Sequence, residues 1–434
     1  MENKGFKGLI SVTNQWIPLL VTMFVLTGCT FFQRPAASTG LSETPALDKT
    51  PVKNITAAPI QDTPQPDPTA RPTETPDAGE SAQGGGTRTR DLSDLSPVAI
   101  TPPATSFPTI PPGQIPLTFS ELDRFGVTIA RMNPDAEAAF ALGLPFGSAL
   151  NWNVMRAPPK VPAEFWQLIR VSEEGIHRTN WDIIDEVLSL YPGSFWVVGN
   201  EPDVQWQDNV TPRRYAEIYH EVYTFIKERD SGAIVVIGGV AQPTPLRRAY
   251  LDVVLNTYQS MYGVPMPIDV WNVHAFILRE EEDSWGVGIP PGLAGEEGIL
   301  YEIDDHDDVQ ILAQNIRDFR EWMADRGYGD RPLVISEYGI LMPEDYGFPP
   351  ERVSAFLEST FDLFGEMVGE NGYAQDGDRL VQWWFWYSIY DDLLYPTGNL
   401  WDEETGQLTE LGQTWIRYLT SRGINPNTME LTGS

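Results

Sequence analysis

Beyond residue 115, eight short runs rich in β-branched and aromatic residues recur along the chain, and helical patterns separate most of them. They are Val127–Ala130, Gly147–Asn153, Phe165–Val171, Phe195–Asn200, Ile234–Gly239, Val270–Phe276, Leu333–Glu337 and Val381–Tyr387. Several are almost continuously apolar rather than alternating, as parallel strands covered on both faces must be. Strand and helix in alternation predict a parallel sheet, and eight repeats over ~300 residues predict an α/β fold of the (β/α)8 TIM-barrel type. A doubly wound open sheet is the main competitor. No Gly-rich phosphate loop follows the first run, which counts against it.

The intervening helices have readable ends. Thr211-Pro212 offers an N-cap followed by proline at the first helical position, after which Tyr215, Ile218, Tyr219, Val222 and Ile226 repeat at helical spacing. Similar patterns occupy Trp181–Leu190, Val309–Met323, Val353–Met367 and Leu411–Leu419. The second unit breaks the rule, because Pro158, Pro159 and Pro162 fall between Val154 and Glu164 and forbid a regular helix there. A degenerate second helix, replaced by a loop, is expected.

The N-terminal part of the 434-residue chain has a different composition. Lys4 and Lys7 precede an apolar stretch from Trp16 to Leu26, followed by Leu26-Thr27-Gly28-Cys29, the layout of an export signal with a short apolar core. The tetrapeptide resembles a bacterial lipoprotein box, which implies cleavage before Cys29 and lipidation of its sulfur. From there to about residue 114, Pro, Thr, Ser, Ala and Asp dominate, a composition that cannot bury enough surface to offset its ordering entropy. The expected organisation is therefore a signal at 1–28, a lipid-bearing cysteine and disordered linker at 29–114, a barrel at 115–425 and a tail at 426–434. Such a protein would be anchored outside the cytoplasm, meeting the membrane only through its lipid.

Charge narrows the partners. With 29 Lys and Arg against 61 Asp and Glu, the formal charge is −32, so the surface carries a strongly negative field. Nucleic acid is an improbable partner for such a surface, whereas a neutral carbohydrate, held by stacking and hydrogen bonds, is compatible with it. The chain's single cysteine, Cys29, excludes an intrachain disulfide and a thiolate metal cluster. No cofactor or metal motif is present, and oligomeric state is not encoded legibly.

Two strand ends carry the chemistry. The fourth run stops at Gly199-Asn200-Glu201-Pro202-Asp203 and the seventh at Ser336-Glu337-Tyr338-Gly339. A carboxylate at the end of a buried strand is costly without a partner or a task, and both ends open on the same rim of a barrel. Here the region from about Val127 to Leu419 resembles the clan A, or 4/7 superfamily, glycoside hydrolases. That resemblance implies Glu201 as general acid/base, Glu337 as nucleophile, and Asn200 as a hydrogen-bond donor to the sugar 2-hydroxyl. It also implies that His274, in Asn272-Val273-His274-Ala275-Phe276, orients the acid/base. Phe276 stands where the family pattern has a tyrosine directed to the nucleophile. At the end of the eighth run, Trp383-Trp384-Phe385-Trp386-Tyr387, the resemblance implies a tryptophan platform for the sugar, with Trp386 preferred and Trp384 second on the same face.

Further candidates carry less weight. Arg170, closing the third run, would hold either a catalytic carboxylate, a sugar hydroxyl or a structural ion pair. Trp152, Trp206 and Trp285 lie on segments near the rim and are additional stacking candidates. The long acidic, Gly- and Pro-rich connection from Arg279 to Asp308 is expected to wall the site. Its Asp304-Asp305-His306-Asp307-Asp308 run suggests a metal site less than a charged helix N-terminus. His177 and His220 have no ligand-spaced neighbours, and no function is assigned to them.

The expectation is a retaining glycoside hydrolase acting on an extracellular oligo- or polysaccharide, with one carboxyl held protonated by burial and by its ionised neighbour. The alternatives are a catalytically silent carbohydrate-binding lipoprotein on the same barrel, and a surface scaffold for a protein partner.

Overall fold

The computed structural model describes residues 120–424. The expected lipid-bearing Cys29, the signal, the linker and the tail therefore lie outside the described residues.

All eight expected runs form strands: β1 (Phe125–Thr128), β2 (Ser148–Leu150), β3 (Glu164–Ser172), β4 (Phe195–Asn200), β5 (Ile234–Gly239), β6 (Trp271–His274), β7 (Leu333–Tyr338) and β8 (Trp383–Trp386). Every strand pairs in parallel with its neighbour, and β1 pairs with β8. Isolated parallel bridges Val236–Val270 and Val240–Val273 join β5 to β6 and close the barrel.

Among the described residues seven α-helices accompany the strands: α1 (Asn133–Ala141), α2 (Trp181–Leu190), α3 (Pro212–Arg229), α4 (Pro245–Tyr262), α5 (Val309–Asp325), α6 (Pro350–Glu366) and α7 (Glu410–Ser421). No helix occupies 151–163, between β2 and β3, where the three prolines stand. Thr211 is the N-cap of α3, but its side chain makes no capping bond. Helix α4 was not among the expected helices, although Thr244-Pro245 repeats the start of α3 and Leu246, Tyr250, Leu251, Val254 and Tyr258 recur at helical spacing; the fully buried Arg247 shares this face.

Side chains alternate across each strand, so two separate cores form. Inside the barrel lie Leu150, Trp166, Leu168, Val197, Val236, Val334, Trp383 and Phe385, among others. Trp166 stacks on Phe195 at 4.2 Å and meets Trp383 edge-on at 5.4 Å. These aromatics are the third residue of β3 and the first of β4 and β8, and they plug the N-terminal end of the barrel. Gly126 makes room for the plug, since a Cβ there would meet the Phe385 ring at 2.5 Å. The outward-facing strand residues pack with the helices in a larger shell. Chemistry is left to the opposite, C-terminal end of the strands.

Candidate active site

Glu201 and Glu337 reach that end from opposite sides of the barrel. After β4 the chain turns sharply, with Gly199 at φ 92° and Glu201 itself at φ 45°. An L-residue in that left-handed region costs roughly 1–2 kcal/mol. The turn is held by Glu201 N–H donating to the Gly239 carbonyl at 2.9 Å and by Val204 N–H donating to the Glu201 carbonyl at 3.0 Å. Glu337 is the fifth residue of β7, and its carbonyl accepts from Ala275 N–H at 2.9 Å.

The two carboxylates are buried, and His274 from β6 stands between them. Its Nδ1 lies 2.9 Å from Glu201 Oε1 and its Nε2 lies 3.5 Å from Glu337 Oε1. One oxygen of each glutamate and one nitrogen of His274 all fall within 4.8 Å of one another. Burial pushes the Glu337 carboxyl up to about 7; the nearby imidazole opposes the rise, while the Glu201 charge adds to it. Burial also works against a charged His274, but the carboxylates of Glu337 and Glu201 outweigh it and hold the imidazole above its ordinary pKa. A proton is thus retained within the Glu201–His274–Glu337 group. Among the described residues this is also the one acidic and histidine cluster compact enough to hold a metal ion. Both ring nitrogens already face carboxylates, so the donors suit a proton bridge better than a cation. Gly239 keeps the bridge in place, because a Cβ there would meet His274 Cδ2 at 2.5 Å and Nε2 at 2.7 Å.

Trp152, on the loop after β2, supplies the third contact to the pair. Its Nε1–H donates to Glu337 Oε1 at 2.8 Å and also approaches Asn200 Oδ1 at 3.1 Å. Asn200 is buried behind the cavity wall, where its amide nitrogen lies 3.5 Å from Gln207 Oε1; it meets protein rather than open space. Arg170 pairs with Asp208 and donates to Gln207 Oε1 at 3.2 Å, while still lining the cavity. Asp208 in turn accepts from the backbone N–H of Asn200 at 2.7 Å and of Val171 at 3.1 Å, tying β3 to β4.

The cavity above the glutamates has a volume of about 700 Å³. Trp152, Trp206 and Trp285 all line it, as does Phe276. Trp386 and Trp384 do not, and the expected platform is corrected here. Strand β8 turns Trp383 and Phe385 inward, so Trp384 and Trp386 face the helices. Trp386 packs edge-on against Tyr338 at 5.3 Å and donates through Nε1 to the Gly398 carbonyl at 2.7 Å. Trp384 meets Phe125 edge-on at 4.9 Å. The next inward residue, Tyr387, takes the place at the cavity, 5.8 Å from Trp152, with its hydroxyl donating to Asp391 Oδ2 at 2.8 Å.

The connection from β6 to α5 does wall the site, through Leu278, Trp285, Val287 and Ile303. It is clamped by Arg247 of α4, which lies 3.0 Å from Asp203 Oδ2 and 3.4 Å from Glu280 Oε1, and donates to the carbonyls of Val287 and Gly288. All three charged groups are buried, and burial pushes Asp203 up to about 6 despite Arg247. His306 is a structural pin: Nε2 accepts from Leu341 N–H at 3.0 Å, so Nδ1–H donates to the Ile277 carbonyl at 3.0 Å. Burial pushes its pKa down to about 4. Asp307 pairs with Arg352, and Asp308 caps α5 through the N–H groups of Gln310 and Ile311. His220 stacks on Tyr262 at 3.7 Å between α3 and α4, and His177 is exposed.

Asp203, Asp208, Gln207, Arg247 and Tyr387 escaped the sequence reading. Only Tyr387 had a usable signal, the parity of its strand.

No family model and no curated protein matches the chain. Among solved structures it is similar to a GH128 subgroup II endo-β-1,3-glucanase from Sorangium cellulosum, at 15% identity over 68% of this chain and 97% of that chain, with TM-score 0.44. It is similar at 17% identity, over 68% and 96% of the two chains, to one from Pseudomonas viridiflava (TM-score 0.45). A GH128 subgroup VII oligosaccharide-binding protein from Cryptococcus neoformans shares 14% identity over 69% and 94%, with TM-score 0.42. Likeness at this level is no basis for an activity, which has to be argued from the site.

Proposed function

We propose that this chain is a retaining glycoside hydrolase. The observation that carries the reading is that one carboxylate oxygen of Glu201 and one of Glu337 lie within 4.8 Å of each other beside one cavity that both residues line. Carboxyls ~5 to 5.5 Å apart suit direct attack by one of them on the anomeric carbon, whereas a wider gap suits attack by water. In the first step the Glu337 carboxylate bonds to the anomeric carbon, the glycosidic C–O bond breaks toward oxygen, and that oxygen takes the Glu201 proton. In the second, Glu201 removes a proton from water, the water oxygen bonds to the anomeric carbon, and Glu337 leaves. His274 is a positioning residue: its charge favours the ionised form of Glu337, and its Nδ1 fixes the Glu201 carboxyl. Trp152 Nε1–H stabilises negative charge on the same Glu337 oxygen that His274 faces.

Glu337→Gly should lower hydrolysis of an activated aryl glycoside by on the order of 10⁴-fold or more. Added azide should restore part of the turnover by attacking the anomeric carbon in place of the missing carboxylate. Sugar binding with no turnover in wild-type protein, unaffected by loss of Glu201, would instead mean a silent carbohydrate-binding protein. Location is part of the proposal: lipidated Cys29 holds the barrel outside the cytoplasm. Cys29→Ser should abolish incorporation of labelled palmitate and shift the protein from the membrane to the soluble fraction.

A further inference from the structure

The two halves of the cavity differ in chemistry. One half offers Arg170, Arg178, Gln207 and Trp152, all with hydrogen-bond donors. Elsewhere in the lining Val204, Phe276, Leu278, Val287, Leu341 and Met342, which offer no hydrogen-bonding side chain, cluster with Trp285 and with Tyr387, whose hydroxyl is already given to Asp391. This second wall belongs to a small apolar cluster separate from both the barrel interior and the helix shell. A sugar seated there would lose the water around its hydroxyls and gain few partners for them.

The apolar wall begins at the proton donor. Val204 follows Glu201 in the turn that bonds back to its carbonyl, and the Phe276 ring stands edge-on to His274 at 6.2 Å. At the mouth the same character continues through Leu393 and Leu394, which are 68% and 69% exposed. Their display is built rather than loose. The buried Asp391 carboxylate accepts from the backbone N–H of Leu393, Leu394 and Tyr395 at 2.9, 3.2 and 3.3 Å. An exposed apolar pair fixed at the rim of a cavity marks a binding surface.

We propose that the substrate is a glycoside with an apolar aglycone: the sugar meets Glu201 and Glu337, and an alkyl or aryl leaving group lies along Val204, Phe276, Leu278, Leu341 and Met342. The inference rests on the glycosidase reading for the place of the leaving oxygen. It differs from that reading in its test, which is binding.

Matched methyl and hexyl glycosides of glucose, galactose, mannose and xylose, in both anomeric forms, are titrated calorimetrically into the full-length Glu337→Gln protein. For the sugar that binds, the hexyl glycoside should bind at least about tenfold more tightly than the methyl, since each buried methylene is worth about fourfold. Leu341→Gln with Met342→Gln should bring the ratio toward one. Leu393→Ser with Leu394→Ser, at exposed positions that do not threaten folding, should lower it severalfold. Equal affinities within twofold, a ratio unmoved by both double variants, or no binding by any pair would overturn the inference. The same pairs given to wild-type protein separate the two claims. Turnover with equal kcat/KM for methyl and hexyl refutes the aglycone alone, and a hexyl preference without turnover refutes the hydrolase alone.

Discussion

Glu337 is the residue on which burial and function pull in opposite directions. A nucleophile must be ionised, yet burial lifts this carboxyl to about 7, so kcat/KM should rise with pH along a limb centred near 7. If Glu337 were the acid instead, activity would fall through the same range, and a pH–rate profile distinguishes the two. Stability should move the other way. The folded protein holds this proton above the ordinary value of 4.5, so the folded state binds more protons than the unfolded one between 4.5 and about 7, and stability declines as pH rises through that window. Glu337→Gln should therefore be more stable than wild type at pH 8, by roughly 1–3 kcal/mol, with no gain at pH 4. Chemical denaturation at the two pH values checks it. The two glutamates stood out in the sequence because each is a polar residue at the end of an apolar run, whereas His274, inside the run Val270–Phe276, was marked by the family resemblance alone. Asp203 and Asp208 did not stand out, since one acid among several in a loop carries no periodicity, and their importance comes from Arg247 and Arg170, which are distant in the chain. The preference for Trp386, with Trp384 second, took the wrong face of β8, one residue of strand parity away from Tyr387. Residue type did not reveal the error, because tryptophan is as acceptable against helices as in a cavity; only the alternation along the strand could.

Helix α4 and the connection after β6 behave as one unit through Arg247. The guanidinium meets two carboxylates and two carbonyls in a region without solvent access. Removing one member strands the others, which is the costly way to break a buried ion cluster. Arg247→Met should destabilise the protein by about 3–5 kcal/mol, and adding Asp203→Asn and Glu280→Gln should recover much of that loss; urea denaturation measures both. Helix α2, whose buried residues Ile184, Val187 and Leu188 are all apolar, was legible to its ends, and α5 nearly so although Arg320 is buried in its stripe. The proline-rich segment between β2 and β3 was equally legible, because the absence of a helix there follows from the missing N–H groups alone.

On the scale of the molecule, the eightfold recurrence of strands announced the barrel, and closure followed from pairing that no local pattern encodes. The excess of 61 acidic over 29 basic residues also acts at this scale. For a neutral substrate, KM should change by less than about twofold between 50 and 500 mM NaCl, because no net charge is screened in the encounter. A polyanionic glycan would show KM falling as salt rises, and steady-state kinetics across that range would reveal it. The aromatic plug of Trp166, Phe195 and Trp383 has a consequence for traffic. With the far end of the barrel sealed, a long chain cannot thread through. It has to lie across the single opening or present one terminus to it. Released product, departing leaving group and incoming water share that opening in turn, so the pace of clearance limits how soon the next molecule can be admitted.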